Sequence, residues 1–292
     1  MVLSSNVDDN MTSNNTSVSV VVTTYNKPQY LRLTLNQLKR QSHKPDQIIV
    51  ADDGSGSDTT DVIREFTQLT DNTVHVWHED TRFRKCEIAN KAITAATSDY
   101  LIFMDDDCFA APWFVGAHLA VAKQGAFTVG ASVNLNETFT KRLLAGEGSI
   151  SDFLALKMLD KMRLIETSTR VQWFKLYLRT LLTGTSTGRF MDRIYLGRGV
   201  FRGGNSGGWR SDFVAVNGFN NDMVYGHEDR EIGERLRNLG LQCRQVRYAA
   251  ANFHLDHDRP YADSEVKAKQ RQIYRYARKA GITDCKNGLR QV

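Results

Sequence analysis

The first third of the chain alternates apolar, β-branched runs with amphipathic segments. The apolar runs occupy residues 18–23, 47–51, 74–77 and 100–104. Between them, apolar residues recur every three or four positions, which is the spacing of one helix face. Strands that alternate with helices of this length form βαβ units, which build a mainly parallel sheet with helices on both faces. The pattern therefore predicts an α/β fold.

Polar clusters follow three of these predicted strands. They are residues 23–26 (Thr-Thr-Tyr-Asn), 52–53 (Asp-Asp) and 105–107 (Asp-Asp-Asp). Ligands of open α/β sheets bind outside the carboxyl ends of the strands, so we expect the clusters to share one crevice. The first turn lacks the glycines of a dinucleotide-binding motif, and no P-loop lysine motif occurs. A dinucleotide-binding Rossmann domain and a P-loop NTPase are therefore disfavoured.

The carboxylates of Asp105, Asp106 and Asp107 come directly after the apolar run 100–104. Like charges at a desolvated strand end repel each other unless a cation neutralises them. Hard oxygen ligands suit Mg²⁺ or Mn²⁺, which commonly also hold substrate phosphates. Taken alone, the triplet is better interpreted as a solvated acidic turn. Its position beside the two other polar clusters favours a metal site for a phosphorylated substrate.

Composition and cysteine spacing indicate a globular protein in a reducing compartment. The chain has 292 residues, of which 41% are hydrophobic, enough to bury a sizeable core. The four cysteines are scattered and form no CxxC pair, so we expect neither a disulfide framework nor a zinc site, and we infer a reducing cytosol. Residues 1–16 are polar and predict a disordered tail.

The charge of the chain points to anionic partners. A net charge of +5 favours polyanions or anionic membrane surfaces. No nucleic-acid-binding motif accompanies this charge, so we do not expect nucleic acid to be a partner. No apolar run approaches the roughly 20 residues that span a bilayer. We therefore expect a cytoplasmic protein, with peripheral contact at the inner membrane face as a further hypothesis.

Residues 134–200 have a different pattern and predict a helical insertion. Two apolar stripes occur in it, with basic residues among them. The first stripe is Phe153, Leu156, Leu159, Met162 and Ile165, and the second is Trp173, Leu176, Tyr177 and Leu181. The stripes could pack against the sheet, or could form a basic amphipathic surface on anionic lipid. Residues 182–188 predict a flexible loop that could act as a lid.

The closing part of the chain contains further predicted elements. A short helix is expected to end at Asn217-Gly218, and a helix over 228–239 to be capped by Gly240. A strand is predicted over 244–249, and a basic helix over about 264–280.

Several motifs occur together and in a fixed order. They are Val-Val-Val-Thr-Thr-Tyr-Asn at 20–26, Val-Ala-Asp-Asp-Gly-Ser at 50–55, Phe-Arg at 83–84 with Asn-Lys-Ala-Ile at 90–93, Met-Asp-Asp-Asp at 104–107, and the run from Gly-Gly-Asn at 203–205 through Val-Asn-Gly-Phe at 216–219 to Gly-His-Glu-Asp at 226–229. Together they resemble family 2 glycosyltransferases of the GT-A fold. The closing third is similar to the carboxyl-terminal region of β-1,4-galactosyltransferases and polypeptide N-acetylgalactosaminyltransferases.

This resemblance implies a division of the chain. Residues 17–133 would form the nucleotide-sugar-binding half of a GT-A domain, with a Rossmann-like sheet. Residues 134–200 would be an insertion, 201–262 the acceptor and catalytic half, and 263–292 a basic helix and tail.

The resemblance also implies donor-binding roles. Thr23 and Tyr25 would frame uracil, with Asn26 in the same nucleotide-sugar-binding set. Asp53 would accept a hydrogen bond from uracil N3–H. Arg84 would reach the uracil or the diphosphate, although it could simply pair with Glu87.

The metal site is implied in the same way. Asp105 and Asp107 would form the DxD motif, with Asp107 as the direct ligand of Mn²⁺ or Mg²⁺. Asp106 or Asp105 would hold ribose or donor-sugar hydroxyls. His254 would be a further metal ligand, with His257 as the alternative.

On the acceptor side, Asp229 would be the catalytic base and Glu228, Trp209 and Tyr225 would bind the acceptor. An alcohol is a poor nucleophile at neutral pH, so a positioned carboxylate must take its proton as it attacks. Asp229 could also be a helix-start charge that favours the helix dipole, and Trp209 could fill the core. The chain has Tyr225-Gly-His where relatives often carry Trp-Gly, which leaves the acceptor open.

The resemblance therefore predicts a metal-dependent inverting enzyme. It would move a hexose or N-acetylhexosamine from a UDP-sugar to a hydroxyl of a glycan or glycolipid acceptor, in bacterial surface polysaccharide or lipopolysaccharide synthesis. Two alternatives are a polyprenyl-phosphate sugar transferase and a non-catalytic nucleotide- or glycan-binding protein.

Overall fold

The computed structural model describes residues 16–167, 169–258 and 263–292. Apart from residue 16, the predicted disordered tail lies outside the described residues. Within the described ranges, no helix combines the length and the apolar character needed to cross a membrane. All four cysteines are free thiols, as the sequence predicts.

A seven-stranded sheet forms the centre of the fold. Its strands, in sheet order, are β3 (Thr73–Trp77), β2 (Gln47–Asp52), β1 (Val18–Thr24), β4 (Tyr100–Asp105), β8 (Ser206–Trp209), β6 (Ala126–Val129) and β9 (Gln242–Gln245). Strand β8 is antiparallel to β4 and β6, and the other neighbours are parallel. The predicted mainly parallel α/β sheet is confirmed.

A second sheet has three short strands in the order β5 (Cys108–Phe109), β10 (Asn252–His254) and β7 (Ser132–Asn134). Strand β10 is antiparallel to β5, and His254 pairs with Cys108. This pairing brings His254, which is distant in sequence, beside the acidic triplet that begins at the last residue of β4.

Helices cover both faces of the central sheet. They are α1 (Pro28–Lys39), α2 (Ser57–Thr67), α3 (Lys85–Ala95), α4 (Phe114–Leu119), α10 (Arg210–Ala215), α11 (Glu228–Asn238) and α12 (Ser264–Lys279), with a 3₁₀ helix at Leu289–Gln291. Successive strand residues point to opposite faces, so Val20 and Val22 pack with α1 and α2 while Val21 packs with α3. Because both faces are covered there, the central strands β1, β2 and β4 are buried along most of their length and read as apolar runs rather than as alternating patterns.

Five helices form the insertion between β7 and β8. They are α5 (Glu137–Leu144), α6 (Ile150–Ala155), α7 (Met158–Arg163), α8 (Arg170–Leu182) and α9 (Ser186–Ile194). The expectation of one apolar stripe from Phe153 to Ile165 is wrong, because a break between α6 and α7 interrupts it. Phe153 is buried, but Leu156 and Leu159 are exposed, and Ile165 forms a β-bridge with Leu135.

The second stripe lies on α8, and most of it packs inward. Leu176 is buried, and the stacked rings of Trp173 and Tyr177 lie against the same core cluster. Leu181 is 45% exposed. Core packing is therefore confirmed for the first three residues of this stripe.

The predicted flexible loop at 182–188 is also corrected. Helices α8 and α9 occupy most of it, so only residues 183–185 connect them. The hydroxyl of Thr185 caps α9, and the Gly184 N–H donates to the Ala249 carbonyl (3.1 Å). This short anchored connection leaves no loop of the length that the lid hypothesis needs.

The closing elements agree with the sequence except for one strand. Helix α10 is followed by Asn217 and Gly218 with positive φ angles, and α11 by Gly240 with φ +97°. The strand predicted over 244–249 is wrong in its position. It is β9, which ends at Gln245, and residues 247–250 form a turn.

Candidate active site

The carboxyl ends of β1, β2 and β4 open into a cleft of about 630 Å³. Most of the predicted site residues line it, namely Thr23, Tyr25, Asp53, Asp105, Asp106, Asp107, Tyr225, Glu228, Asp229 and His254. His257, the alternative metal ligand, lines the same cleft. Side chains from widely separated stretches of the chain therefore meet in one place.

The parallel register of β1 and β4 positions the acidic triplet. Thr23 pairs with Asp105 across the two strands. The Thr23 hydroxyl donates to Asp105 Oδ1 (2.8 Å), and the Thr24 hydroxyl donates to Asp106 Oδ2 (2.6 Å). The first polar cluster therefore orients the carboxylates of the third cluster.

Asp106 is the most enclosed member of the triplet, with only 4% of its surface exposed. Burial, and then the neighbouring Asp107 charge, raises the pKa of Asp106 to about 7. Its backbone carbonyl accepts a hydrogen bond from the Thr34 hydroxyl (2.6 Å). These contacts hold Asp106 against β1 and α1. Because its Oδ2 already accepts the hydrogen bond from Thr24, less of its carboxylate is left to bind a ligand.

Asp107 lies among cationic and imidazole side chains. Its Oδ2 lies 2.8 Å from both Lys27 Nζ and His257 Nε2, and its Oδ1 lies 3.4 Å from His254 Nε2. Burial works against ionisation of Asp107. The His257 hydrogen bond and the charges of His254 and Lys27 outweigh burial and hold the pKa of Asp107 well below its usual range. Asp107 is therefore an anion ready to bind a cation.

In the part of the chain that the structure describes, two overlapping groups of side chains could hold a metal ion. One is Asp107 with His254 and His257, and the other is Asp105 with Asp107 and Cys108. Within each group the ligand atoms lie within 4.8 Å of one another. Carboxylate oxygen with imidazole nitrogen is a donor set that fits Mn²⁺, whereas a purely carboxylate set would suit Mg²⁺. The residues present fit a divalent cation at Asp107.

The predicted uracil-binding residues Tyr25 and Asp53 both line the cleft, Tyr25 as an exposed side chain and Asp53 as a buried one. Tyr25 is 46% exposed, and its hydroxyl donates to Asp80 (2.9 Å). Asp53 Oδ1 lies 2.7 Å from His78 Nε2, and its Oδ2 accepts from the Arg84 backbone N–H (3.0 Å). Each carboxylate oxygen has two lone pairs, so Asp53 can accept a further hydrogen bond.

Two predicted nucleotide-binding side chains point elsewhere. Arg84 bonds Glu87 (3.3 Å), the pairing that the sequence left as an alternative, and it lines a neighbouring cleft instead. Asn26, at φ +49°, accepts from the Gly56 N–H (3.0 Å) and so shapes the turn after β2. Asn26 is not among the residues that line the main cleft.

The expectation that Trp209 binds the acceptor is wrong. Because β8 is antiparallel to β4, Trp209 pairs with Tyr100, the first residue of β4, and so lies at the end of the sheet remote from Asp105. Its ring packs edge-on against Tyr100, its Nε1 donates to the Lys123 carbonyl (2.9 Å), and it is 7% exposed. The alternative interpretation, core filling, is confirmed.

Glu228 and Asp229 begin α11, directly after two residues with positive φ, Gly226 and His227. Glu228 accepts from the Gly226 N–H (2.7 Å), and Asp229 accepts from the N–H of Arg230 (2.7 Å). Burial, and then the Asp229 charge, raises the pKa of Glu228 to about 7. Burial also raises the pKa of Asp229. The turn thus points two enclosed carboxyl groups into the cleft.

Lys85 is a cleft residue that the sequence analysis missed. Its Nζ lies 2.5 Å from Asp105 Oδ1. Burial lowers the pKa of Lys85, but the charges of Asp105 and Glu228 more than offset this and raise it above its usual value. Lys85 therefore links Asp105 electrostatically to the Glu228–Asp229 pair. Its position directly after the Phe83-Arg84 motif was the available signal.

Gly204 is a second residue whose role the sequence did not reveal. A Cβ there would lie 2.8 Å from Asp105 Oδ2 and 3.4 Å from Cys108 Sγ. Only glycine lets the segment before β8 approach the acidic triplet so closely.

A family model described as glycosyl transferase family 2 matches residues 19–184, which is more than half of the chain. The chain belongs to glycosyl transferase family 2. A second model, described as the N-terminal domain of galactosyltransferase, matches residues 192–258. Both matched regions contribute residues to the cleft. The first region supplies the acidic triplet, and the second supplies the Glu228–Asp229 pair.

Curated relatives include polysaccharide synthases. Chondroitin synthase of Escherichia coli is 27% identical over 240 residues, covering 80% of this chain and 34% of its own. Hyaluronan synthase of Pasteurella multocida is 33% identical over 104 residues, covering 35% of this chain and 11% of its own. The family 2 chain spans about a third or less of the curated relatives it matches.

Solved structures share the fold. A mannosyltransferase from Pyrobaculum calidifontis, solved with GDP-Man and Mn²⁺, superposes with a TM-score of 0.58 at 15% identity and covers 92% of this chain and 65% of its own. TarS of S. aureus, solved with UDP, gives 0.55 at 14% identity, with 88% and 64% coverage. These structures are GT-A glycosyltransferases, so the predicted fold is confirmed.

Proposed function

We propose that this family 2 glycosyltransferase moves a hexose or N-acetylhexosamine from a UDP-sugar to a hydroxyl of a glycan, with inversion at the anomeric carbon. The observation that carries the proposal is the shared cleft, in which Asp229 lies with Asp105 and Asp107. An acidic donor-binding side and an enclosed carboxyl pair are the two parts that such a transfer needs.

Asp229 would act as the base. Its carboxylate takes the proton of the acceptor hydroxyl as that oxygen bonds to the anomeric carbon and the bond to the diphosphate oxygen breaks. Attack on the face opposite the departing diphosphate inverts the configuration, so an α-linked donor gives a β-glycoside. Glu228, one residue earlier on the same turn, is placed to hold a second acceptor hydroxyl.

On the donor side, Asp107 would hold Mn²⁺ or Mg²⁺, with His254 or His257 and with Asp105. When bound, such an ion supplies positive charge to the departing diphosphate. Thr23 fixes Asp105, and the Lys27 ammonium lies next to Asp107. Tyr25 and Asp53 supply an exposed ring for stacking and an oxygen acceptor for uracil N3–H.

The acceptor is proposed to be a growing bacterial surface polysaccharide, with lipopolysaccharide as one form. Similarity to chondroitin and hyaluronan synthases supports a polysaccharide acceptor. A polyprenyl phosphate acceptor is less well supported, because a phosphate oxygen is already ionised and needs no base such as Asp229.

The deciding experiment is a donor panel. UDP- and GDP-sugars are screened for nucleotide release with Mn²⁺, with Mg²⁺ and with EDTA, each with oligosaccharides or polyprenyl phosphate as acceptor. We expect UDP release that needs both the metal and a saccharide, and a product whose anomeric coupling constant in NMR shows inversion. Release only with polyprenyl phosphate, or UDP binding with no release under any condition, would reject the proposal.

We further propose that the insertion rests on an anionic membrane. On α8, Val171 (66% exposed), Phe174 (56%) and Leu181 (45%) recur at helical spacing and face outward. Between residues 150 and 200, nine Lys or Arg stand against four Asp or Glu, an excess equal to the net charge of the whole chain. Exposed apolar side chains surrounded by basic residues are suited to bind an anionic lipid surface. Under this proposal the enzyme would work at the inner face of the cytoplasmic membrane.

A further inference from the structure

A second cleft, of about 430 Å³, lies next to the active-site cleft. Arg82 and Phe83 line both clefts. The second cleft is otherwise mainly polar and is lined by Arg84, Glu87, Asn221, Asp222, Val224, Asn287, Gln291 and Val292. A groove that leads out of an active site past shared residues can hold the continuation of a substrate.

The far wall of this second cleft is firmly built. Asn287 donates to Asp222 (2.7 Å), and Asn221 donates to Asn287 Oδ1 (3.2 Å). The Gly288 N–H donates to Gln291 Oε1 (2.7 Å), and the Asn217 side chain bonds this same segment. Because these groups are held in place before a ligand arrives, they lose little conformational freedom on binding one.

The route between the two clefts is aromatic. The rings of Phe83 and Tyr225 meet edge to face, with centroids 6.0 Å apart, and Tyr225 lines the active-site cleft together with Glu228 and Asp229. Aromatic faces pack against the C–H surfaces of sugar rings, while amides and guanidinium groups bond hydroxyls and carboxylates. A saccharide that starts at Asp229 would pass this aromatic pair before it enters the polar cleft.

Arg82 provides the charge at this junction. It is exposed, and among the described residues it forms no salt bridge, whereas Arg84 beside it is paired with Glu87. A guanidinium group that is not neutralised from within the protein favours a carboxylate partner, which it can bind through two hydrogen bonds.

We propose that the second cleft is an acceptor subsite for an acidic oligosaccharide. The sugar that receives the transferred unit lies at Asp229, the next one passes Phe83 and Tyr225, and a uronate carboxylate pairs with Arg82. This inference rests on the proposed function, because it assigns the rest of the acceptor whose first hydroxyl Asp229 would deprotonate.

The test is direct binding by titration calorimetry, which does not depend on turnover. The probes are a glucuronate-containing tetrasaccharide, the corresponding disaccharide, and maltotetraose as a neutral chain of equal length. We expect the acidic tetrasaccharide to bind more tightly than the other two. Arg82→Gln should weaken its binding roughly tenfold or more, as expected for losing a charge-assisted hydrogen bond.

Two further variants sharpen the result. Val224→Trp fills the second cleft without changing a charge and should remove the advantage of the tetrasaccharide over the disaccharide. Arg278→Gln, an exposed arginine on α12 that lines neither cleft, should behave as the wild type. Absence of tetrasaccharide binding, equal binding of maltotetraose, or wild-type binding by both cleft variants would overturn the subsite. Failure of the proposed transferase would appear separately, as absence of nucleotide release in the donor panel.

Discussion

Replacing Asp229 by Asn tests the central chemical step. Asn has nearly the same shape, and its oxygen can keep the 2.7 Å hydrogen bond from the Arg230 N–H, so the start of α11 should persist. The weaker contact from the Gly203 N–H (3.4 Å) is the one at risk. The amide cannot take a proton at neutral pH, so the variant removes the proposed base while leaving the proposed donor-binding residues Asp105 and Asp107 unchanged.

We expect kcat to fall by about 10²- to 10⁴-fold, the usual contribution of a general base. This corresponds to roughly 3–5 kcal/mol in activation free energy. UDP affinity, measured by calorimetry with Mn²⁺ present, should be unchanged, because the donor side contributes that binding. Glu228→Gln is the matched control on the same turn, and it should raise the KM for acceptor more than it lowers kcat.

The pH profile gives a second readout. Burial raises the pKa of Asp229, so kcat/KM should rise with pH as this carboxyl group ionises, above the ordinary range of an aspartate. The acid limb should disappear in Asp229→Asn. Near wild-type turnover in this variant, or an unchanged acid limb, would refute Asp229 as the base.

Five other substitutions test particular contacts. His254→Ala and His257→Ala should each raise the Mn²⁺ concentration for half-maximal UDP release, and an unchanged requirement would remove that histidine from the ligand set. Asp106 has a folded pKa of about 7 against an ordinary 3.8, so its contribution to stability is fully present below its unfolded pKa and is lost as pH rises through 7. Chemical denaturation should show that Asp106→Asn, relative to wild type, gains stability between pH 5 and 8, and a pH-independent difference would contradict this. Gly204→Ala should displace the Asp105 carboxylate and weaken UDP binding in calorimetry, whereas Gly116→Ala in α4, where the added Cβ meets nothing closer than 3.5 Å, should leave it intact. Phe174→Glu should reduce co-sedimentation with phosphatidylglycerol vesicles relative to Gln172→Glu on the same helix, and equal binding would reject the membrane surface.

The sequence predicted the parts of the fold that depend on local pattern. The continuous apolar runs identified β1 to β4, and the glycine after α11 marked its end. The site residues at the carboxyl ends of β1, β2 and β4 could be predicted to converge, because parallel strands end at one edge. Local pattern could not predict the role of Lys85, since it depends on Lys85 at the start of α3 reaching Asp105 at the end of β4. The helices of the insertion were predicted poorly. Its first apolar stripe has the spacing of one long helix, but the chain there forms the two short helices α6 and α7.

The prediction that Trp209 binds the acceptor was wrong for a physical reason. Sequence order places it near the Gly-Gly-Asn motif, but it does not reveal strand direction. Because β8 runs antiparallel to β4, Ser206 pairs with Phe103 near the carboxyl edge while Trp209 pairs with Tyr100 at the far edge. Four residues of extended chain carry the tryptophan away from the cleft by about 10 Å.

The antiparallel direction of β8 also brings the acidic triplet close to the Glu228–Asp229 pair. A strand entering antiparallel beside β4 must begin at the edge where Asp105 ends, so the segment before β8 passes across the acidic triplet. The Gly204 backbone therefore lies against Asp105, and the Gly203 N–H reaches Asp229 at the start of α11. The separation between the acidic triplet and the proposed base is thus set by one strand register and by Gly204, which allows the close approach. A bulkier residue at Gly204 would press on Asp105 and alter this separation while leaving Asp229 itself unchanged, so its effect should appear in donor binding and turnover before it appears in stability.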